Sequence, residues 1–375
     1  MNKMNVFGTI FVEDQPISIQ TSAKDIDTNW DTFIASMPDG RFEQTSMWAR
    51  VKSLERWEPT RVLFYEKDTI VGGFQILSRS KRPIGRIGYV SKGPVILPSK
   101  EGLLPYMIDS LRKVVASRNI KILILHPPRL NAEALAVLAD SGFMPNPIKD
   151  LVQNATVMID LGKDEAALLA SMKRQKKQNI KKAYDSGVTI REGSLEDLNA
   201  FFLLMQETCK RQGVAPNPPH LQSFVHMWNV FQPTGQIKLF FACYKGEDIS
   251  GVLAIPFGQT VNLWKFGWSG KYSEYRPNDL LFWEIFKWTR TAGYRRADLV
   301  HISVESAKET VREQRRPDSV QKTPSFFKLG WGGDVVMLPE SYVYFKNPVV
   351  KALFQPGAKL LNSWPWLKRT LLNPS

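Results

Sequence analysis

The residues whose types and spacing suggest chemistry in this chain are cations and aromatics. The densest group is Lys173-Arg174-Gln175-Lys176-Lys177-Gln178-Asn179-Ile180-Lys181-Lys182. Such a run either tracks the phosphates of a polyanion or forms a solvated helix face. Trp264, Phe266 and Trp268 alternate with Leu263, Lys265 and Gly267, a strand pattern that serves either a core or a sugar platform. Two cysteines, Cys209 and Cys243, exclude a disulfide framework and a four-cysteine metal site. The four histidines (His126, His220, His226, His301) show no close ligand spacing, so metal-free chemistry is expected.

A chain of 375 residues with 43% hydrophobic content excludes a disordered protein and suggests two domains. The net charge of +14 is uneven: residues 1–170 carry +2 and residues 171–375 carry +12. A field of that sign attracts RNA, nucleotide diphosphates or anionic lipid surfaces. The longest apolar stretches, such as 120–125, are strand-sized, whereas a membrane span needs about 20 residues. The opening segment 6–12 is short and breaks at Glu13-Asp14, unlike a cleavable leader, so a cytoplasmic protein is expected.

Leu168, Leu169, Met172 and Ile180 recur at helical spacing, which predicts one basic helix through residue 182, closed by Gly187. Elsewhere the chain repeats itself. Strands at 61–65 and 70–77 flank a polar turn, as do strands at 238–244 and 249–257. A third strand follows in each half (86–90; 260–268), then a Gly/Pro loop and a helix (103–118; 279–292). A further strand comes next (121–125; 296–301), and each half closes near a Gly-aromatic pair, Gly142-Phe143 and Gly330-Trp331. This plan predicts an α+β protein of two duplicated domains, each a mixed β-sheet flanked by helices. The expected division is 1–152, 153–347 and a basic amphipathic tail over 348–375.

That topology resembles the acyltransferase fold of the GNAT superfamily. Its usual Arg/Gln-x-x-Gly-x-Gly/Ala loop, which holds the coenzyme A pyrophosphate on backbone N–H groups, has no counterpart here. The corresponding loops are 91–96 (Ser-Lys-Gly-Pro-Val-Ile) and 269–277 (Ser-Gly-Lys-Tyr-Ser-Glu-Tyr-Arg-Pro), which disfavours a coenzyme A donor. Five motifs in order then resemble the FemABX family: 42–52 (Phe-Glu-Gln-Thr-Ser-Met-Trp-Ala-Arg-Val-Lys), 88–95 (Gly-Tyr-Val-Ser-Lys-Gly-Pro-Val), 207–213 (Glu-Thr-Cys-Lys-Arg-Gln-Gly), 275–281 (Tyr-Arg-Pro-Asn-Asp-Leu-Leu) and 326–333 (Phe-Phe-Lys-Leu-Gly-Trp-Gly-Gly). FemABX enzymes are aminoacyl-tRNA-dependent transferases built from two fused GNAT-like domains. They add amino acids to the stem-peptide amine of a nucleotide-linked or lipid-linked peptidoglycan precursor. With no room for an inserted helical hairpin, this chain resembles the shorter, armless members.

The resemblance implies a reaction in which an amine attacks an aminoacyl ester at a tRNA 3′ end, with no cofactor beyond the aminoacyl-tRNA co-substrate. Lys328 matches the family lysine near the reacting carbonyl, and Phe327 is placed to stack on the terminal adenine. Lys52 and Arg211 match positions that contact the precursor's diphosphate, a role suited to cations. Tyr89, Lys92 and Tyr275 are expected as walls for the sugar and peptide. Asp279, Glu305 and Asp298 are candidate general bases, unless a tRNA ribose hydroxyl carries the proton. The expected partners are aminoacyl-tRNA, a UDP- or lipid-linked muramyl peptide and, through the tail's Trp364-Pro365-Trp366-Leu367-Lys368-Arg369, the inner membrane surface. Two readings compete: an acyltransferase acting on an exopolysaccharide or natural product, and a non-catalytic double-GNAT protein that binds RNA or a partner.

Overall fold

The structure, a computed structural model, describes residues 6–12, 14–82, 84–148, 154–313 and 323–363. The chain forms two compact units, Met1–Val152 with Leu338–Ser375, and Gln153–Met337.

The first unit opens with β1 (Val6–Val12), β2 (Gln15–Ser22), α1 (Thr28–Ser36) and α2 (Ser46–Ser53). It continues through β3 (Glu58–Glu66), β4 (Thr69–Lys81), β5 (Gly85–Ser91), β6 (Val95–Ile96), α3 (Leu104–Ser117), β7 (Ile120–His126), α4 (Ala132–Asp140) and β8 (Met144–Pro145). The second unit comprises β9 (Ala155–Asp160), α5 (Glu165–Ser171), α6 (Arg174–Asp185), β10 (Thr189–Gly193), α7 (Leu198–Arg211), α8 (Leu221–Phe231) and β11 (Lys238–Tyr244). It is completed by β12 (Glu247–Phe257), β13 (Thr260–Trp268), α9 (Pro277–Thr291), β14 (Arg296–His301), α10 (Val304–Glu313), α11 (Pro324–Leu329) and β15 (Asp334–Met337). The chain then returns to the first unit with β16 (Tyr342–Phe345) and α12 (Pro348–Ser363).

Both sheets are mixed and share one strand order. The first runs β2-β3-β4-β5-β7-β16-β8 with β1 added at its edge, and the second runs β10-β11-β12-β13-β14-β9-β15. The two predicted hairpins, β3–β4 and β11–β12, are antiparallel, and the crossovers through α3 and α9 make β5–β7 and β13–β14 parallel. The apolar faces pack into two cores. One centres on Phe64, Phe74, Leu111 and Leu123, the other on Val252, Leu281, Phe286 and Trp331.

Three expectations are corrected. The second domain does not extend to 347, because β16 donates its edge to β7 and β8 and so completes the first sheet. It fills the position that β9 fills in the second sheet. The described part of the tail is not a free amphipathic segment. Phe354 lies 4.9 Å from Phe345, Ala358 is buried, and Asn362 Nδ2 donates to Pro147 O at 2.9 Å, all within the first unit. The tail's Trp364–Arg369 stretch lies outside the described residues. The single basic helix is two, because Met172 and Lys173 are extended (ψ 150° and 141°) and break it before α6 begins.

The break has a steric partner. Gly332 has φ +75°, and a Cβ there would lie 2.0 Å from Ser171 O. Lys173 N–H donates to Gly330 O at 3.2 Å, so the turn after α11 nests against the α5–α6 junction. Gly187 also has positive φ, but a Cβ there would meet nothing within 4 Å. Gly187→Ala is expected to cost about 1 kcal/mol, the left-handed penalty alone. Gly332→Ala adds a backbone clash and is expected to cost about 3 kcal/mol. Thermal unfolding of the two variants checks this; equal midpoints would refute the clash.

Candidate functional site

In the second unit the parallel ladder between β13 and β14 covers only Thr260–Asn262 against Arg296–Asp298. In the first unit the equivalent β5–β7 ladder runs from Arg86/Ile120 to Ser91/His126. Beyond Asn262 and Asp298 the second unit's strands lose their pairing. There Val300 sits at φ +59°, a conformation that β-branched residues rarely adopt. Strain of this kind concentrates at functional sites. Asp298 holds the irregular turn by accepting from Val300 N–H at 2.7 Å and Thr156 Oγ1 at 2.5 Å.

Lys328 is anchored at this strand end. It lies on α11, which Thr323 caps by accepting from Phe326 N–H and which starts with Pro324. Its Nζ donates to His301 O at 2.8 Å. Burial lowers the Lys328 pKa to about 8, against the upward pull of Asp298. A second tie holds α11 to the start of α10: Ser303 N–H donates to Ser325 Oγ at 3.1 Å.

Phe327 is half-buried, with its ring edge-on to Phe282 at 5.0 Å and to Trp331 at 6.0 Å. One ring face is occupied. Lys176 Nζ sits 3.4 Å from the Phe327 centroid and 4.5 Å from that of Trp331. Base stacking on Phe327 is therefore confined to the opposite face. Lys176 is 5% exposed and pairs with Asp279 at 2.6 Å, so it is not part of a solvated face. Sequence reasoning placed it among the run of cations. Met172 and Ile180, four residues to either side, put it on the inward stripe, but the surrounding run of cations hid that sign, since buried lysines are rare.

The candidate general bases separate physically. Asp279 is buried and accepts from Lys176 Nζ and from Asn179 Nδ2 at 3.2 Å. Asp298 accepts the two bonds given above, and Glu305 is exposed in the first turn of α10. Arg211 ends α7, where its Nη2 donates to Trp268 O and to Thr208 Oγ1, and its guanidinium lies 4.9 Å from the Trp268 ring. Tyr275 stands in a tyrosine cluster, 4.8 Å from Tyr244 and 6.3 Å from Tyr272, flanked by left-handed Tyr272 and Arg276. Its hydrogen bond with Tyr244 raises its pKa. The alternating aromatics of β13 are half-buried, with Trp264 against Phe224 and Phe266 against Phe282.

In the first unit Lys52 is 2% exposed, contrary to a plain surface lysine. It pairs with Glu55 at 2.5 Å, and burial pushes its pKa down. Arg79 lies close enough to add repulsion and stacks over Trp57 at 4.3 Å. The Arg79 Nε and Trp57 Nε1 donors are buried without acceptors among the described residues. Two cations against one carboxylate, with two orphan donors, leave this cluster with an excess of positive charge and of donors. Arg79 and Trp57 were missed in the sequence, where they stand 27 and 5 positions from Lys52.

Tyr89 and Lys92 do not form an exposed wall. Tyr89 is 7% exposed on the central strand β5, and burial raises its phenol well above the usual range. Lys92 is equally buried, with Nζ 3.3 Å from His126 Nε2, and burial and Lys92 hold the imidazole neutral. A cavity of about 390 Å³ in this unit is lined by residues such as Ile96, Ile108, Leu130 and Val137. It contains none of these candidates, and its rim Arg129 is already paired with Asp39 and Glu101. Among the described residues no group of His, Cys, Asp or Glu has metal-holding geometry, and no helix is long and apolar enough to cross a membrane.

Comparisons with known proteins agree with this architecture. Residues 26–136 match the FemAB family, and residues 170–307 match the acetyltransferase (GNAT) domain. Among curated relatives, the lipid II:glycine glycyltransferase of Staphylococcus saprophyticus is 27% identical over 221 residues, covering 56% of this chain and 52% of the relative. That of Staphylococcus aureus strain MRSA252 is 26% identical over 222 residues, with the same coverage. The chain thus spans about half the length of the curated relatives it matches. Among solved structures, FemX superposes with TM-score 0.76 at 18% identity, covering 89% of this chain and 99% of FemX. A tandem GNAT protein from the clavulanic acid biosynthesis pathway superposes at 0.54 with 10% identity, covering 88% and 99%. The chain thus has two GNAT-like units of matching strand order, and its first unit is similar to the FemAB family over residues 26–136.

Proposed function

We propose that this protein is an aminoacyltransferase that moves an amino acid from aminoacyl-tRNA to the stem-peptide amine of a lipid- or UDP-linked muramyl peptide, in cell-wall bridge formation. The observation that carries this reading is Lys328, a half-buried ammonium fixed to His301 O where β13 and β14 have parted. The curated relatives named as lipid II:glycine glycyltransferases support the acceptor class.

The acceptor nitrogen attacks the ester carbonyl carbon, the C–N bond forms, and negative charge develops on the carbonyl oxygen. A fixed cation stabilises that charge more than it stabilises the ground state, which accelerates the step. The C–O bond to the ribose then breaks and the ribose oxygen takes the proton. With Asp279 and Asp298 committed to internal bonds, a neighbouring ribose hydroxyl is the proton carrier in this reading. In the first unit, Lys52, Arg79 and Trp57 supply the donors that a diphosphate needs. In this reading the chemistry takes place in the cytoplasm, and at the inner face of the membrane where the acceptor is lipid-linked.

Lys328→Met is expected to lower kcat by about 100-fold or more with unchanged thermal stability, measured as product formation from charged tRNA and a UDP-linked muramyl pentapeptide. An active variant would remove Lys328 from the mechanism. The pH profile follows from its pKa of about 8. The acceptor amine must be unprotonated to attack, and its pKa is about 10.4, so log kcat/KM rises with a slope of about one below the Lys328 pKa. With the Lys328 ammonium as the active form, the rise levels off above that value. A slope of about two below it would instead identify the free amine of Lys328 as a base. Lys328→Arg should abolish the break, because guanidinium stays protonated. Lys52→Met should raise the acceptor KM about tenfold with little change in kcat, since it removes a contact made equally in ground and transition states. An unchanged acceptor KM would place the diphosphate elsewhere.

A further inference from the structure

Helix α6 carries cations on two faces with opposite fates. Lys176 points inward with Ile180 and Ala183 and is buried, whereas Lys173, Arg174, Lys177, Lys181 and Lys182 are exposed. Arg174, Lys177 and Lys181 follow three- and four-residue spacing and so form one stripe, about 10 Å long at the helical rise. Among the described residues, Lys181 has a carboxylate partner, Asp185 at 2.6 Å, while Lys173, Arg174 and Lys177 make no ion pair.

This arrangement opposes the helix's own electrostatics. The stripe starts at the helix N-terminus, where the macrodipole is positive and acidic side chains are favoured; the first turn has none. Like charges three and four residues apart repel as well. An array that costs the free helix stability, yet stays exposed, is suited to a bound polyanion.

The polyanion is also specified. A helix that binds a membrane surface needs a free apolar face. The apolar face of α6 is already buried in the second unit's core, and the hydroxyl of its exposed Tyr184 is bonded to Glu284. A linear row of cations without an insertion face fits a phosphodiester backbone. The stripe also begins next to the reacting site. Lys173 N–H bonds to Gly330 O, two residues past Lys328, and Lys176 on the same helix rests on Phe327.

We infer that the exposed stripe Lys173, Arg174, Lys177 and Lys181 of α6 binds the phosphodiester backbone of the tRNA donor beside its aminoacylated end. This rests on the donor reading proposed above and adds where the nucleic acid runs.

The test is the triple variant Arg174→Glu/Lys177→Glu/Lys181→Glu, assayed with two donors: full-length aminoacyl-tRNA, and an aminoacyl-adenosine ester, which has no phosphodiester backbone. The expected result is a loss of about 100-fold in kcat/KM for tRNA, mostly in KM, with the adenosine ester changed less than about twofold. The plot of log kcat/KM against log salt should become shallower by about two to three with tRNA, because each lost cation releases roughly one fewer counterion. Unchanged tRNA kinetics and salt slope would overturn the inference. So would equal losses with both donors, which would mean a damaged site. So would loss of binding to vesicles containing phosphatidylglycerol with tRNA kinetics intact, which would assign the stripe to a membrane. Wild-type protein that turns over neither donor would remove the donor reading itself, and the inference with it.

Discussion

A single buried ammonium holds the second unit's site together. Lys176 of α6 pairs with Asp279 at the start of α9 and lies against the faces of Phe327 and Trp331, in and just after α11. A lysine taken out of water is tolerated only with a carboxylate and favourable dipoles or π-faces around it. Here one ammonium satisfies that requirement with groups from three segments, and breaking such a pair costs about 3–5 kcal/mol. The aromatic layer it caps continues into α9, where Phe282 stacks on Trp331 and Phe286 meets it edge-on. The six-residue α11 is too short to be stable alone. Its position, and that of Lys328, is set by this layer and by the backbone bond from Lys173 to Gly330.

The two units use one strand order for different ends. In the first, a six-residue parallel ladder keeps β5 and β7 closed, and an inserted carboxamide opens the other side. Leu77 and Tyr89 are paired in register, so Gln75 and Ser91 would be opposed two residues further along. Instead Gln44 enters between them, its Oε1 accepting from Gln75 N–H and its Nε2 donating to Ser91 O. Gln75 in turn orients the buried Arg61, whose guanidinium reaches Asp27 and Asp25 O. In the second, the ladder from β12 to β13 reaches Trp268, and the break falls between β13 and β14. One strand order thus supports two scaffolds whose strands part at different places.

Much of the fold was legible in the chain. The hairpins at β3–β4 and β11–β12, the helices α3 and α9 and the strands after them all sit where period and turn residues place them, because each depends on local pattern. Lys328 and Phe327 were legible through a motif, and Arg211 through its place at a helix end. Lys52 was legible as a residue but not as a buried one. Its neighbours Glu55 and Trp57 are local, yet Arg79 reaches it through the β3–β4 hairpin, and no local pattern reports that.

The sequence alone determined the duplicated α+β plan, the concentration of positive charge after residue 170, and the loss of a glycine-rich pyrophosphate loop, since composition and periodicity are properties of the chain itself. Only the tertiary structure decided that β16 completes the first sheet, that Lys176 turns inward while its neighbours stay in water, and that Asp279 is spent on a lysine 103 positions away. Those outcomes depend on which distant groups can desolvate a charge or pair an open strand edge. That energy exists only once the chain has closed on itself.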